Sequence, residues 1–550
     1  MDKSSSAVEI SRLLSNYLFY LSLTLLIPLV TAAYFEFITP DTHPQPHSTL
    51  AFAFTLTCSL ALSGLFRFFG RKATGQARRR EGIMLVVSLW LITCLIGSLP
   101  FMFSKTLTHP VHAYFEAMSG LTTTGASMIY PKAYNPLGQE IPIYITNSHV
   151  PGKTYAFYGT VAPVRDPKTN LVIATGVEAV GKAVLLWRSF LQWIGGLGIV
   201  VIFLTVLPAL KVGGKFLYQT EVTGPVKEGI SPRVKETASR LWKLYAFLTL
   251  LQICLLVWTN QEMSLFDAIC TSMSTISTGG FSIRNNSIAS YHSALTEWIV
   301  IFFMIAGSIN FALYFEALKL KFRKIYVPDF MLFLTVIICG SALVSFFLIG
   351  ADKSSFVHES GVYSFSEALR AGVFQAVSLQ TSTGFTTANY DLWPFPSQMF
   401  MLLLMFVGGM SGSTAGGIKT PRFYILYKII LSRLESIYRP DAIRICKIGD
   451  TEIDDKNSLT VLAFFCIVAF FTIFGTVSLI LDQVDPETSL GLMGCFLNNV
   501  GAAFRAAGPN DTFAFISPLS QIFAIIWMFL GRLEYYILLL LLLPSFWKNQ

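Results

Sequence analysis

Four short runs of small polar residues, each containing a glycine, recur along the chain between strongly apolar segments. Glycine adopts backbone angles that are closed to other residues, so such a run can turn its carbonyl groups toward one side. Four runs around a common axis can replace the water shell of a cation with backbone oxygens, which is how a potassium-type selectivity filter works. The runs are Leu121–Ser127, Ile276–Ser282, Gln380–Thr387 and, more loosely matched, Leu497–Ala503.

The composition indicates a membrane protein. Hydrophobic residues make up 53% and charged residues 13% of the chain, whereas charged residues make up about a quarter of a soluble chain. The net charge of +8 comes from Lys and Arg in short loops between apolar runs, which is typical of membrane orientation rather than nucleic-acid binding. The eight cysteines form no CxxC pair and no metal-ligand spacing. Because the sequence contains no GxxxxGK(S/T) motif, we expect neither an enzyme nor an ATP-driven pump.

Two apolar runs precede the first glycine run. Tyr17–Phe37 is long for the apolar core of a signal peptide, so we predict a retained transmembrane helix, with cleavage as the alternative. Leu50–Phe69 predicts a second helix. The basic residues at the C-terminal end of this second helix assign the following loop to the cytoplasm. The ten predicted membrane spans then place both termini of the chain in the cytoplasm. These residues are Arg67, Arg71, Lys72, Arg78, Arg79 and Arg80.

From Gly82 onward a unit repeats: a spanning helix, a short semi-polar helix, a glycine run and a second spanning helix. Phe115–Gly125 matches Phe374–Gly384 without gaps at Phe, Ala, Ser, Thr, Thr and Gly. The run glycines lie roughly 105 to 120 residues apart once an insert in the first unit is left out, which is a long-period internal repeat. The predicted second spanning helices are Val184–Leu207, Leu295–Ala317, Gln398–Leu431 and Phe515–Leu543.

These units predict an all-α polytopic membrane protein. Four helix–pore-helix–filter-loop–helix repeats would stand in a pseudo-fourfold arrangement around a pore, and two further transmembrane helices would precede them. The predicted boundaries are 1–81 for the N-terminal pair and 82–210, 211–327, 328–456 and 457–550 for the pore repeats, the third with a broken second helix.

One segment of the first repeat, residues 130–182, falls outside the repeating unit. Alternating stretches such as Ile141–Thr146 and Thr154–Tyr158 predict β-strands, and Asp166–Asn170 predicts a turn. We therefore expect a small β-rich cap on the outer face. A loop decoration without a role in transport is favoured over a gating or partner site.

The residues that would line the filter carry small side chains and no carboxylates. A channel for divalent cations is expected to place Asp or Glu there, whereas neutral carbonyl dipoles suffice for a monovalent cation. The short helices would point the C-terminal ends of their dipoles at that cation. The alternative, four unrelated loops that cap helix ends, conflicts with their common register. The predicted filter residues are Thr123, Thr124, Gly125, Thr278, Gly279, Gly280, Ser382, Thr383, Gly384, Asn499, Val500 and Gly501.

The second spanning helix of the third unit contains five glycines between Val407 and Arg422. Each interior glycine destabilises a helix by up to ~1 kcal/mol relative to alanine, and unwound backbone at membrane depth persists only where it is buried in protein or lines a cavity. We predict a flexible loop beneath the filter that acts as a gate, with a helix-packing face of small residues as the alternative. The predicted gate residues are Gly408, Gly409, Gly412, Ser413, Thr414, Gly416, Gly417, Lys419 and Arg532.

Arg532 lies between two apolar runs near the end of the chain. A charge inside the membrane costs at least ~2.5 kcal/mol and normally faces a partner or a water-filled pathway. Glu534 is two positions away and points to another side of a helix, so it is a poor partner. We predict that Arg532 faces the pore beneath the filter, near the Gly408–Gly417 loop, as a positive electrostatic barrier. A salt bridge that holds helices together is the alternative.

Taken together, these motifs resemble the TrkH-type potassium uptake proteins of the Trk/Ktr/HKT superfamily of potassium transporters. The motifs are the four glycine runs, the Gly-Gly-x-x-Gly-Ser-Thr-Ala-Gly-Gly-x-Lys stretch at 408–419 and the closing Gly-Arg-Leu-Glu at 531–534. The resemblance covers nearly the whole chain from Gly82 on. The two additional N-terminal helices suit the TrkH branch rather than the shorter KtrB branch.

The resemblance implies a gated, channel-like pore subunit for potassium uptake that forms a homodimer in a bacterial cytoplasmic (inner) membrane. It also implies control by cytoplasmic TrkA-type nucleotide-binding subunits, with K⁺ as the transported ion and no bound organic cofactor. The family's filter glycines map to Gly125, Gly280, Gly384 and Gly501, its gate to Gly408–Gly417 and its pore arginine to Arg532.

Two features depart from the family pattern. The 130–182 insert is long, and the fourth run, Asn498–Ala502, lacks the threonine of the other repeats. A Na⁺-permeable relative or an H⁺- or Na⁺-coupled K⁺ symporter is therefore the alternative function. Coupled transporters often contain inverted repeats, whereas the repeats of this chain are parallel, which favours the channel-like pore.

Overall fold

The structure is a computed structural model, and its helices form an N-terminal pair followed by four repeats of like construction, which confirms the predicted fold class. It describes residues 3–39, 48–73, 79–146, 153–166, 168–198, 234–320, 323, 326–353, 361–439, 446–448, 451–453, 455–509 and 511–548.

The N-terminal pair consists of α1 (Lys3–Thr24), its near-continuation α2 (Leu26–Ala33) and α3 (Ser48–Phe69). Small polar side chains lie between α1 and α3, and the hydroxyl group of Ser22 donates to that of Ser59 at 2.8 Å. Small residues let two membrane helices approach closely, and hydrogen bonds between their hydroxyl groups satisfy polar atoms away from water.

Each repeat contains a long first helix, a short helix that leads into the glycine run, and a second helix. The first repeat has α4 (Arg79–Phe103), α5 (Pro110–Leu121) and α6 (Lys182–Leu197); the second has α7 (Val234–Thr259), α8 (Leu265–Ile276), α9 (Ala294–Ser308) and α10 (Phe311–Leu318). The third has α11 (Pro328–Leu348), α12 (Phe365–Gln380), α13 (Phe395–Phe406) and α14 (Thr420–Tyr438). The fourth has α15 (Asp455–Leu481), α16 (Pro486–Asn498), α17 (Pro518–Arg532) and α18 (Tyr536–Leu542), after which α19 (Pro544–Trp547) ends the described chain.

Three of the four short helices, α8, α12 and α16, begin at residues that cap helix N-termini. The side chain of Ser264 accepts from the amide of Asp267 at 3.1 Å before α8, and that of Asp485 accepts from Thr488 at 2.9 Å before α16. Ser364 and Glu367 form a reciprocal capping box before α12. Capping groups satisfy amides that have no partner within the helix. The start of each of these short helices is therefore specified locally by the sequence.

The second helices of the second and fourth repeats are broken, although the sequence predicted continuous helices over Leu295–Ala317 and Phe515–Leu543. The chain bends by 97° between α9 and α10 and by 118° between α17 and α18. In the second repeat, the Asn310 side chain accepts from the amide of Ala312 at 2.9 Å and so starts a new helix. In the fourth, Glu534 and Tyr535 both have positive φ, which no α-helix contains. Apolar length alone did not reveal either break.

The described spans agree with a multi-pass membrane protein. Six helices are long and apolar enough to cross a membrane, and the α9–α10 and α17–α18 pairs each pass the same test as one bent span. The predicted helix Val184–Leu207 ends earlier, at Leu197, because Gly198 has a φ of +81°; residues 199–207 lie outside the described residues. The predicted helix Gln398–Leu431 is interrupted between α13 and α14.

The 130–182 insert consists of short antiparallel hairpins, in line with its alternating pattern. The best-paired hairpin joins β3 to β4 in a register that places Ile145 opposite Tyr155. We call this insert the cap, and the face of the protein that carries it the cap side. The strands are β1 (Ala133–Tyr134), β2 (Glu140–Ile141), β3 (Ile143–Thr146), β4 (Thr154–Phe157), β5 (Val164–Arg165) and β6 (Val172–Ala174); β7 (Cys446–Ile448) and β8 (Thr451–Ile453) pair between α14 and α15.

The cap is attached to repeats that lie far away in the sequence. The phenol of Tyr155 donates to the carboxylate of Asp485 in the fourth repeat at 2.7 Å and accepts from its amide at 2.8 Å. Toward the second repeat, the side chain of Asn285 bonds the carbonyl of Thr175 and the amide of Val177, both at 3.0 Å. The cap therefore joins the first, second and fourth repeats on one face.

We expect Tyr155→Phe to lower the free energy of unfolding of the purified protein by about 1 kcal/mol. The change removes one buried hydroxyl group and with it the two hydrogen bonds that this group makes to Asp485. Thermal unfolding in detergent, followed by tryptophan fluorescence, measures the change. Tyr144→Phe is the matched control, since Tyr144 is 65% exposed on the neighbouring strand. Equal melting temperatures for the two variants would contradict the attachment of the cap through Tyr155.

Candidate functional site

The four glycine runs share one backbone conformation, and we call them the glycine loops. Each follows a short helix and has positive φ at its glycine and at the residue two positions earlier. Positive φ is uncommon outside glycine, so its recurrence at equivalent positions identifies a common loop structure. The pairs are Thr123 (56°) and Gly125 (86°), Thr278 (53°) and Gly280 (76°), Ser382 (55°) and Gly384 (81°), and Asn499 (54°) and Gly501 (55°).

The amide groups of the glycine loops point back toward the short helices. The residue before each glycine donates its N–H to the carbonyl five positions earlier, at 2.8 to 3.0 Å, and the donors are Thr124, Gly279, Thr383 and Val500. Among the residues that the structure describes, none donates a hydrogen bond to the carbonyls of 123–125 or 382–384. Buried carbonyl groups require a partner. A dehydrated cation is one that such a loop can bind.

The glycine loops form a closed ring. A Cβ added to any of the four glycines would meet the backbone of the next loop, and the fourth loop meets the first in the same way. The approaches are Gly125 to Gly279, Gly280 to Thr383, Gly384 to Val500 and Gly501 to Thr124. A side chain at these glycines would force neighbouring loops apart, so the close approach requires glycine.

The ring is polar but uncharged. The four glycines are partly exposed, whereas the residues before them are buried. None of the twelve predicted filter residues carries a charge. The arrangement therefore offers neutral oxygen atoms without a fixed negative charge, a ligand set that suits a monovalent cation.

The loop between α13 and α14, Val407–Lys419, is ordered by hydrogen bonds rather than by helix; we call it the broken-helix loop. Its two ends meet, since the amide of Gly408 donates to the carbonyl of Ile418 at 3.0 Å. Its middle packs on the break in the second repeat, where the amides of Met410 and Thr414 donate to the carbonyls of Ser308 and Gly307. The break between α9 and α10 thus supplies acceptors that a continuous helix would have used internally.

The broken-helix loop contacts the side of the glycine ring away from the cap. The amide of Gly416 donates to the Ser382 hydroxyl at 2.5 Å. The Thr414 hydroxyl lies 3.0 Å from the carbonyls of both Ile276 and Gly307. The predicted gate residues Thr414 and Gly416 therefore lie directly against the second, third and fourth glycine loops.

Arg532 lies in the same region. Its guanidinium group donates to the Thr123 hydroxyl at 3.1 Å and to the Thr414 carbonyl at 3.0 Å, and also to the carbonyls of Gly195 and Gly196 at 2.6 and 3.1 Å. One side chain from the fourth repeat thus connects the first glycine loop, the broken-helix loop and the end of α6. The structure brings Arg532 together with the predicted filter and gate residues.

Further charged side chains surround the broken-helix loop, and the sequence interpretation assigned roles to few of them. Arg422 and Glu534 form an ion pair at 2.5 Å, with side chains 6% and 19% exposed. The Lys419 ammonium group contacts the carbonyl of Ala415, and the Thr420 hydroxyl donates to Asp329 at 2.5 Å. The signal was available, because charges inside apolar segments usually mark a functional or paired position.

The back of the ring contains a second group that the sequence interpretation missed. Glu116 on α5 and Arg188 on α6 form a buried ion pair at 2.8 Å, with side chains 0% and 2% exposed. One turn later on α6, the side-chain amide of Gln192 bonds the second glycine loop. Arg188 and Gln192 lie four residues apart and therefore share one helix face, which an α-helical projection of the sequence would have revealed.

On the cap side of the ring, Arg505 binds two carboxylate groups and one side-chain amide. Its guanidinium group donates to Glu487 at 2.6 Å, to Gln398 at 2.7 Å and to Asp391 at 3.4 Å. Burial raises the pKa of Asp391 to about 7, even though Arg505 acts in the opposite direction. Burial, with repulsion from Asp391 as a second cause, raises the pKa of Asp511 to about 7 as well. Both carboxyl groups therefore titrate near neutral pH.

Comparison with known proteins agrees with this architecture. The family model described as cation transport protein TrkH matches residues 165–548. The "Trk system potassium uptake protein TrkH" of Salmonella typhimurium is 32% identical over 508 residues, covering 91% of this chain and 92% of that protein. The protein of the same name from Halomonas elongata is 31% identical, with 98% and 99% covered.

A solved structure is similar over the full length of both chains. The crystal structure of the potassium transporter TrkH from Vibrio parahaemolyticus superposes with a TM-score of 0.77 at 27% sequence identity, covering 100% of each chain. The family model alone spans more than half of the present chain. The chain therefore belongs to the TrkH family of cation transport proteins.

Proposed function

We propose that this protein is the membrane pore subunit of a gated potassium uptake system. The observation that carries the proposal is the ring of four glycine loops, in which the buried, uncharged backbone carbonyls of 123–125 and 382–384 lack hydrogen-bond donors among the described residues. Carbonyl rings of this kind replace the hydration shell of K⁺. The relatives named potassium uptake proteins support the choice of ion.

The filter would consist of the twelve residues at 123–125, 278–280, 382–384 and 499–501, and the broken-helix loop would be its gate. The hydrogen bonds of Gly416, Thr414 and Arg532 hold the loop against the ring, which would be the closed position of such a gate. Opening would require these contacts to break together. Since each is a single hydrogen bond worth about 1 kcal/mol net, a modest regulatory force is enough to move the loop.

The setting that follows from the family resemblance is a homodimer in a bacterial cytoplasmic membrane, with both termini in the cytoplasm. The cap would then face outward, and basic loops on the other side fit the positive-inside rule. Relatives named as parts of a Trk system support the existence of a partner. We propose that the partner is a cytoplasmic TrkA-type nucleotide-binding subunit that supplies the regulatory force.

The test of the function is the reversal potential of the purified protein in liposomes under opposing K⁺ and Na⁺ gradients. A value near the K⁺ equilibrium potential would support a K⁺-selective pore. A value that follows the Na⁺ or pH gradient would instead support the second candidate, a Na⁺-permeable or coupled transporter. That candidate is favoured by the fourth glycine loop, where Asn499 and Val500 stand in place of the hydroxyl residues found in the first and third.

We expect Gly280→Ala to abolish K⁺ flux or its selectivity over Na⁺, because a Cβ at this position would overlap the carbonyl oxygen of Thr383 in the next loop. Radioactive rubidium uptake and the reversal potential in liposomes measure both effects. Gly138→Ala is the matched control: Gly138 has φ of +78°, close to the +76° of Gly280, but nothing lies within 4 Å of its Cβ position. Wild-type selectivity in Gly280→Ala would exclude this loop from the filter.

We expect Arg532→Ala to raise the basal K⁺ flux severalfold without a regulatory subunit, because the change removes the bond to Thr414 that retains the broken-helix loop and also removes a positive charge from the pathway. Flux per reconstituted molecule is the quantity to compare. Arg532→Lys keeps the charge but cannot bond several segments at once, so its basal flux should lie between those of the wild type and Arg532→Ala. Reduced expression with unchanged flux per molecule would indicate that Arg532 has only a structural role.

A further inference from the structure

The first and third glycine loops each contain an internal brace made of two hydroxyl groups. The Thr122 and Thr124 hydroxyls lie 2.8 Å apart, and those of Thr381 and Thr383 have the same separation. The equivalent positions of the second loop are Ser277 and Gly279. Because Gly279 has no side chain, the second loop cannot form this brace, and it also contains two adjacent glycines, the most flexible residue type.

Gln192 of α6 occupies the place of the missing side chain. A Cβ added to Gly279 would overlap the amide carbon of Gln192, and both polar atoms of that amide lie within 3 Å of the Cβ position. The Gln192 amide nitrogen donates to the Gly279 carbonyl at 2.6 Å, and its oxygen accepts from the Phe281 amide at 3.1 Å. A single buried side chain thus holds the backbone on both sides of Gly280.

The Glu116–Arg188 ion pair fixes the helix that carries Gln192. The Arg188 guanidinium group donates to Glu116 and, at 3.0 Å, to the carbonyl of Ser282 in the second repeat. Its carbon atom lies 4.0 Å from the centre of the Phe281 ring, a favourable cation–π distance. Arg188 therefore ties α6 to the segment directly after the second glycine loop, one helical turn from Gln192.

We propose that Gln192 is a positioning residue that determines ion selectivity by bracing the second glycine loop, in place of the hydroxyl pair that braces the first and third. This inference rests on the proposed K⁺ filter. Discrimination of K⁺ from the smaller Na⁺ requires carbonyl groups held at a set separation, and a site keeps such geometry only if the groups behind it are fixed. Without the Gln192 amide, the Gly279–Gly280 backbone is free to turn and the loop accepts Na⁺.

The experiment measures the K⁺/Na⁺ permeability ratio from reversal potentials in liposomes. We expect Gln192→Ala to lower the ratio by about tenfold. A tenfold change corresponds to about 1.4 kcal/mol, which is the size of effect expected when two buried hydrogen bonds to the filter backbone are lost. Gly279→Thr should also be impaired, because the new side chain would overlap Gln192.

Combining the two changes is the decisive step. In Gln192→Ala with Gly279→Thr, the overlap is removed and the new hydroxyl group can pair with Ser277, as Thr124 pairs with Thr122. We expect the permeability ratio to return to within about threefold of the wild-type value, since one brace replaces the other. Impairment in the double variant that equals the sum of the single effects would overturn the proposal.

Two further variants separate bracing from general damage. Gln192→Met keeps the approximate size of the side chain but cannot donate to Gly279 and offers Phe281 only a weak sulfur acceptor, so it should reduce selectivity and serves as the test if Gln192→Ala fails to fold. Gln252→Ala removes another fully buried glutamine, whose amide has no hydrogen-bond partner among the described residues, and should leave selectivity unchanged. A selective wild type with an equally selective Gln192→Met would overturn the bracing role alone. A wild type that does not discriminate K⁺ from Na⁺ would overturn both the bracing role and the proposed function.

Discussion

Buried carbonyl groups that lack donors are the constraint on which the rest of this structure depends. In water such groups would be solvated, and inside a helix they would be paired, but the carbonyls of 123–125 and 382–384 accept from no donor among the described residues. The short helices position the carbonyls, and the glycines allow adjacent loops to approach. Under the proposed function, a cation is the partner of these carbonyl groups.

The four repeats share a backbone plan, but they contribute different side chains to it. The first provides Gln192 behind the ring, the second a bent helix whose carbonyls at Gly307 and Ser308 accept from the broken-helix loop, and the third that loop itself. The fourth provides Arg532. Specialisation of this kind is possible because one chain carries all four repeats, whereas four identical subunits would have to place the same residue at every equivalent position.

The features predicted from the sequence depend on local patterns. The glycine runs, the glycine-rich stretch after Phe406 and the arginine between apolar runs are each visible within about twenty residues, and the structure brings all three together. The missed features depend on distant partners: Arg188 meets Glu116 across 72 positions and Gln192 meets Gly279 across 87. The bends after Ser308 and Arg532 were missed because the length of an apolar run gives no information about a local helix cap or a positive φ. The functional roles of these residues stay predictions.

The attachment of the cap has a consequence for biogenesis. Tyr155 reaches Asp485 across 330 positions, and Gly501 closes the ring against the first glycine loop. A chain that leaves the ribosome from its N-terminus inserts the first repeat long before the fourth exists. Until then the first glycine loop and the hairpins above it have no partner on that side. The ring of glycine loops is therefore completed only after the fourth repeat, residues 457–550, has been made, and a truncated chain inserts in the membrane without a closed ring.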